Sequence, residues 1–116
     1  MRVFLEDGFL IGLRDTGCQQ TFLGLRIEVG QSDDLPIVIR WNGREGVKDG
    51  PDNDVAIAQL VNIAVQDFDS DFDTKFKITH LKYDPADPFD AVSYQTMIAR
   101  MLRWQRENND KAHPSD

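Results

Sequence analysis

Residues 54–66 read DVAIAQLVNIAVQ and residues 67–73 read DFDSDFD. How far the first stretch runs as helix, and what the second becomes, decides the fold. At about 100° per residue, Ala56, Ile57, Leu60, Val61, Ile63, Ala64 and Val65 cover well over half of a helical wheel. Only Gln59, Asn62 and Gln66 form a narrow polar strip. The pattern predicts a helix from Val55 to about Gln66, with Asp54 as its N-cap. A helix this apolar is expected to be buried on most sides, by its own sheet and a second helix or by another copy of the chain. A homo-oligomer through the apolar helix 55–66 is therefore one expectation.

Outward toward the N-terminus the period changes. All eight glycines lie between Gly8 and Gly50, so the first half is rich in turns. Met1–Glu6 and Phe9–Leu13 are apolar runs joined by Asp7-Gly8, a dipeptide favoured in type I′ hairpins. Asp15-Thr16-Gly17 reads as the next turn. Thr21–Val29 alternates, with Leu23, Leu25, Ile27 and Val29 on one face and Phe22, Arg26 and Glu28 on the other. After the Gly30–Pro36 loop, Ile37–Trp41 reads as a fourth strand. Toward the C-terminus, Lys75–Tyr83 reads as a fifth strand, and the order strand–helix–strand allows a parallel crossover. Asp87 at N-cap, Pro88 at N1 and Asp90 in the first turn announce a last helix. Its apolar arc is Ala91, Tyr94, Met97, Ile98, Met101, Leu102 and Trp104, with Arg100, Arg103 and Arg106 opposite. The expected class is α+β: an antiparallel meander of about four strands, then helix, strand, helix, the helices on one face of the sheet. One domain over residues 1–108 and a disordered tail over 109–116 are expected.

The chain has 116 residues, 20 of them Asp or Glu against 13 Lys or Arg, a net charge of −7, and 41% hydrophobic residues. That length suits one domain, and a core of this size needs no metal or disulfide. Residues 33–90 carry 13 acids and 6 bases, 13 − 6 = 7, so the whole excess lies in the middle. A direct nucleic-acid role is disfavoured, because phosphate contacts need a basic footprint. The lone Cys18 excludes an internal disulfide and fits a reducing compartment. Acid breaks the N-terminal apolar run within six residues, unlike a signal peptide. No stretch approaches the roughly 20 apolar residues of a membrane span. A cytoplasmic location, with no membrane partner, is expected.

Asp67, Asp69, Asp71 and Asp73 alternate with Phe68, Ser70 and Phe72. An EF-hand needs Gly at loop position 6 and Glu at position 12; starting at Asp67 these are Phe72 and Ile78, and starting at Asp69 they are Thr74 and His80. The motif fails in both registers, and neither a metal nor a cofactor is expected. Acid at a helix C-terminus opposes the macrodipole, which argues for a helix that ends near Gln66 and an extended acidic connector. Extended chain sets i and i+2 side chains roughly 6–7 Å apart on one side. The four aspartates would then form a ridge that docks on a basic protein surface, with Asp49 and Asp52 adding charge nearby.

The loop from Asn42 to Asn53 is the other candidate. It is long enough to suggest function, and Gly43, Arg44, Gly46 and Lys48 could grip a small anion or nucleotide, although the phosphate-loop spacing is absent. His80 reads as a packed strand residue, and a Cys18–His80 dyad has no support in the pattern. The leading functional expectation is a non-enzymatic acidic protein that inhibits a basic, nucleic-acid-handling partner. Toxin-immunity and phage anti-defence inhibitors are analogues in class, not in sequence. A ligand-binding protein using loop 43–53, and a metal-dependent hydrolase built on aspartates, are the alternatives.

Overall fold

The Asp7-Gly8 turn has positive φ at both residues, 52° and 82°, the type I′ geometry that suits a two-residue hairpin. It joins β1 (Arg2–Glu6) to β2 (Phe9–Asp15), and β3 (Gln20–Val29) pairs antiparallel to β2. This is a computed structural model, and it describes residues 1–15, 20–30, 34–40, 53–85 and 90–112, with side chains as far as Asn108.

The fold is α+β, with two helices packed on a five-stranded mixed sheet of order β1-β2-β3-β5-β4. The meander holds for its first three strands. The fourth, β4 (Ile37–Arg40), does not continue it, because β5 (Phe76–Tyr83) lies between β3 and β4. The link over residues 30–36 is longer than the two to five residues of most hairpins, and β4 lies on the far side of β5 at the sheet's edge. From there α1 (Asp54–Phe72) returns the chain to β5, which pairs parallel to β4 and antiparallel to β3. The crossover allowed by the order of elements is thus realised.

A bulge makes β5 work as a central strand. Ile27 faces Ile78 while Arg26 faces His80, so Thr79 is an extra residue. The insertion reverses the alternation. Phe76 and Ile78 before it, and Leu81 and Tyr83 after it, consequently all turn toward the helices and are buried. They meet Leu10 of β2, Leu23 and Leu25 of β3, Ile57, Val61 and Val65 of α1, and Met97, Ile98 and Met101 of α2 (Ala91–Ala112). The opposite face carries Phe9, Ile11 and Phe22 with Phe4, Leu13 and Ile39 against them. The Lys82 ammonium stands 4.0 Å from the Phe9 ring centroid there. Both helices thus serve one face.

Helix ends depart from expectation. Asp54 is the first helical residue of α1 and Asn53 its N-cap, with no side-chain cap bond. α2 begins at Ala91 rather than at Pro88, and Asp90 caps it: Oδ1 accepts the Val92 and Ser93 N–H groups at 3.1 and 3.4 Å, and Oδ2 accepts the Ser93 hydroxyl at 2.9 Å. Those bonds, the Ser93 hydroxyl foremost, hold the Asp90 carboxyl below its ordinary range. Asp87 and Pro88 lie outside the described residues. α2 also continues to Ala112, past the point where a tail was expected. In α1 the apolar face is wider than the buried one, since Val55, Ala56 and Ile63 are exposed. No helix of the described residues is long and apolar enough to cross a membrane.

Gly12 of β2 lies under α2. A Cβ there would stand 2.7 Å from Met101 Sδ and 3.1 Å from Met1 Cε, and Met101 is fully buried. Gly12→Ala is expected to destabilise the fold by about 1–3 kcal/mol in urea unfolding. In a Met101→Ala background the same substitution should cost less, because the thioether it strikes is gone.

Candidate functional site

The acidic run is helical. α1 extends to Phe72, six residues beyond Gln66, and Asp73 closes it in the left-handed conformation at φ 54°, ψ 44°. The cause is the pair of phenylalanines inside the run. Ile57, Val61, Val65, Phe68 and Phe72 recur every three or four residues and form one stripe. Phe68 is buried, its ring centroid 4.5 Å from that of Phe72 and 6.0 Å from that of Phe76. Burying one such side chain contributes about 1.5–3 kcal/mol, whereas a carboxylate at a helix C-terminus costs about 0.3–1 kcal/mol when exposed. Hydrophobic burial outweighs the dipole, and the expected extended connector gives way to another turn and a half of helix.

The change of conformation redistributes the aspartates. Alternate residues on a helix lie about 200° apart, so they cannot form one ridge. Asp69 turns inward: its carboxylate accepts the Thr74 hydroxyl at 2.7 Å and the Phe76 N–H at 3.1 and 3.3 Å. Its carbonyl also accepts the Asp73 and Thr74 N–H groups. Asp69 therefore joins α1 to β5 and is a structural residue. Asp67 and Asp71, one turn apart, are exposed on another side, and Asp73 is exposed at the cap. None of these three has an ion pair or side-chain hydrogen bond among the described residues. The last turn of α1 carries no basic residue. Arg106 reaches it from α2 but stacks 5.1 Å from the Phe72 ring centroid instead of pairing with a carboxylate.

Beside this end, a groove of about 440 Å³ separates α1 from the first half of β5. Asn62, Gln66, Ser70 and Asp73 form its helical wall, and Phe76 and Ile78 line the strand side. Asp34 closes one end, where its carbonyl accepts the Asn62 side-chain amide at 3.3 Å.

The other end of α1 is closed by its own side chains. Arg40 Nε donates to Asp54 Oδ1 at 3.1 Å, and the Tyr83 hydroxyl donates to the same oxygen. Burial first, then the bond to Asp54 and its charge, push the Tyr83 phenol up to about 12. This cluster was not anticipated; its only sequence signal is that Arg40, Asp54 and Tyr83 stand at the ends of three consecutive elements. Arg44, Lys48, Gly43, Gly46, Asp49 and Asp52 lie outside the described residues, as do Cys18 and His113. His80 is half-buried on β5, with Nδ1 3.0 Å from the Thr79 hydroxyl. Among the described residues, no three His, Cys, Asp or Glu side chains are grouped to hold a metal ion.

Two outcomes are expected. Asp69→Ala should cost about 1–3 kcal/mol by stranding a part-buried N–H and a hydroxyl, whereas Asp67→Asn and Asp71→Asn should each stabilise the fold by about 0.3–1 kcal/mol, all read from urea unfolding. The Tyr83 phenol has a higher pKa folded than its ordinary 10.0. It therefore stabilises the fold fully below pH about 10, and that contribution is lost as pH rises toward about 12. Tyr83→Phe should flatten the fall of unfolding free energy across that window. Comparison with protein-family models, curated proteins and solved structures found no match for this chain.

Proposed function

We propose that the chain is a non-enzymatic binding protein that docks the C-terminal end of α1 on a basic protein surface and blocks it. The observation that carries this reading is the set of exposed carboxylates Asp67, Asp71 and Asp73, unpaired among the described residues at the negative end of a helix macrodipole. Each opposes the stability of its own helix, and Asp67 repels Asp71 across one turn. A partner that supplies Lys or Arg to this end relieves both. Asp67 and Asp71 are separated by about 6 Å along the helix axis, so the charge spacing expected of an extended ridge survives on different residues. Asp69, occupied by Thr74 and Phe76, is withdrawn from the docking set.

The mechanism is occlusion, with charge speeding encounter. A basic surface of this kind on a nucleic-acid-handling enzyme normally holds phosphates, and an acidic plug there inhibits by competition. Immunity and phage anti-defence inhibitors work in this class. The ligand-binding alternative rests on Gly43, Arg44, Gly46 and Lys48, which lie outside the described residues.

The test is capture of partners from native extract at low and high salt, followed by titration of the captured protein. A triple Asp67→Asn, Asp71→Asn, Asp73→Asn variant should bind at least tenfold more weakly, about 0.5 kcal/mol per exposed charge, while remaining as stable as the parent or more so. Equal affinity for the parent and the triple variant removes this surface from the function.

A further inference from the structure

Among the described residues, the first half of β5 has an open side within the groove. β4 pairs only with His80–Tyr83, so the stretch from Phe76 to Ile78 has β3 on one side and no described strand on the other. Backbone direction there follows from contacts at both ends. The Lys75 carbonyl accepts the Gly30 N–H on the β3 side, and the Phe76 N–H points the opposite way, into the Asp69 carboxylate. Alternation then aims the Phe76 carbonyl and the Ile78 N–H into the groove. These are the two groups that one residue of a parallel strand would bond. Unpaired strand edges of this kind recruit extended polypeptide.

We infer that this edge is a strand-addition site for an extended, basic segment of the partner polypeptide, which lies in the groove opposite Lys77. The inference rests on reading the acidic end of α1 as a docking surface, and it specifies how the partner is held. Charge sets the occupant's pattern. Residues of an added strand alternate between the two faces of the sheet. On the α1 face they meet Asp73 and the negative end of the helix, which select Lys or Arg. On the opposite face they meet the Lys77 side chain, whose stem passes Gly30 and whose charge disfavours another cation. The fitting segment therefore alternates a basic residue with an uncharged one.

The test uses the full chain, isotope-labelled, and a short synthetic peptide that alternates lysine with threonine. A second peptide carries backbone N-methyl groups on its threonines, keeping the charge and removing those edge donors; a third carries them on its lysines, so that either registration is covered. Binding of the parent peptide should slow hydrogen exchange at the Ile78 amide by at least about tenfold, and at least one methylated peptide should bind about tenfold more weakly. Ser70→Arg, an exposed substitution on the groove wall, should weaken the parent peptide while leaving the fold intact. If all three peptides bind alike and Ile78 exchange is unchanged, strand addition is overturned and charge docking at α1 stands. If none binds at low salt while the extract partner still binds and still responds to the Asp67, Asp71, Asp73 variant, strand addition is again overturned alone. Loss of that partner response as well overturns the reading on which it rests.

Discussion

Burial of Phe68 holds the middle of this structure together. Its ring packs on Phe72 one turn later and on Phe76 across the turn that follows, so one side chain commits α1 to a further turn and a half and sets the point where β5 begins. Without that contact the run from Asp67 to Asp73 has every electrostatic reason to leave the helix. With it, the acidic segment is helical, the chain reverses at Asp73, and β5 enters the sheet between β3 and β4. The sheet's mixed order follows, because a helix of this length returning from β4 delivers a parallel neighbour. Asp69 then stitches the same junction from the polar side, satisfying the Phe76 N–H that an edge position would leave bare.

The two ends of α1 solve opposite problems. At its N-terminus, Asp54 has a favourable place in the dipole and is matched by Arg40 and Tyr83 from the ends of the two strands the helix connects. At its C-terminus the charges are unfavourable, and among the described residues only the Asp69 carboxylate is answered from within the chain. Stability arguments explain the first end completely. They explain Asp69 at the second, and the left-handed stop at Asp73, but leave Asp67 and Asp71 as placements the fold alone does not favour, which is why the proposed docking surface is placed there.

Much of the architecture was legible in the order of periods along the chain. The hairpin at Asp7-Gly8, the alternation from Thr21 to Val29, the arc of the last helix and the strand–helix–strand crossover all depend on local pattern and turn chemistry. What stayed hidden depends on competition between terms of different range. The end of α1 was read from the dipole, a local effect, whereas Phe68 and Phe72 find their reward in contacts with β5 and α2. The apolar face is wider than the stripe the chain itself covers: Val55, Ala56 and Ile63 extend the hydrophobic arc, and the sheet and α2 cover the stripe centred on Ile57, Val61 and Val65. The break in the meander was written in the length of the 30–36 link, and Thr79 marks a bulge that no simple alternation discloses. At the site, residue type was readable and side was not, since the face each aspartate takes is set by helix against strand.

The same correction alters what the acidity means. Sixteen aspartates against four glutamates suggest charge placed on turns and caps, and Asp7, Asp73 and Asp90 fit that pattern: a hairpin, a helix stop and a helix start. Asp54 and Asp69 are placed differently, each drawn into a bond that joins two elements. Among the aspartates whose side chains are described, setting aside those that a turn, a cap or another group holds leaves Asp67 and Asp71 on the last turns of α1, near a groove with an open strand edge. A charged surface and an unpaired edge are separately ordinary features. Asp73 and the end of α1 stand across the groove from that edge, an arrangement that would give the proposed partner both a direction of approach and a register.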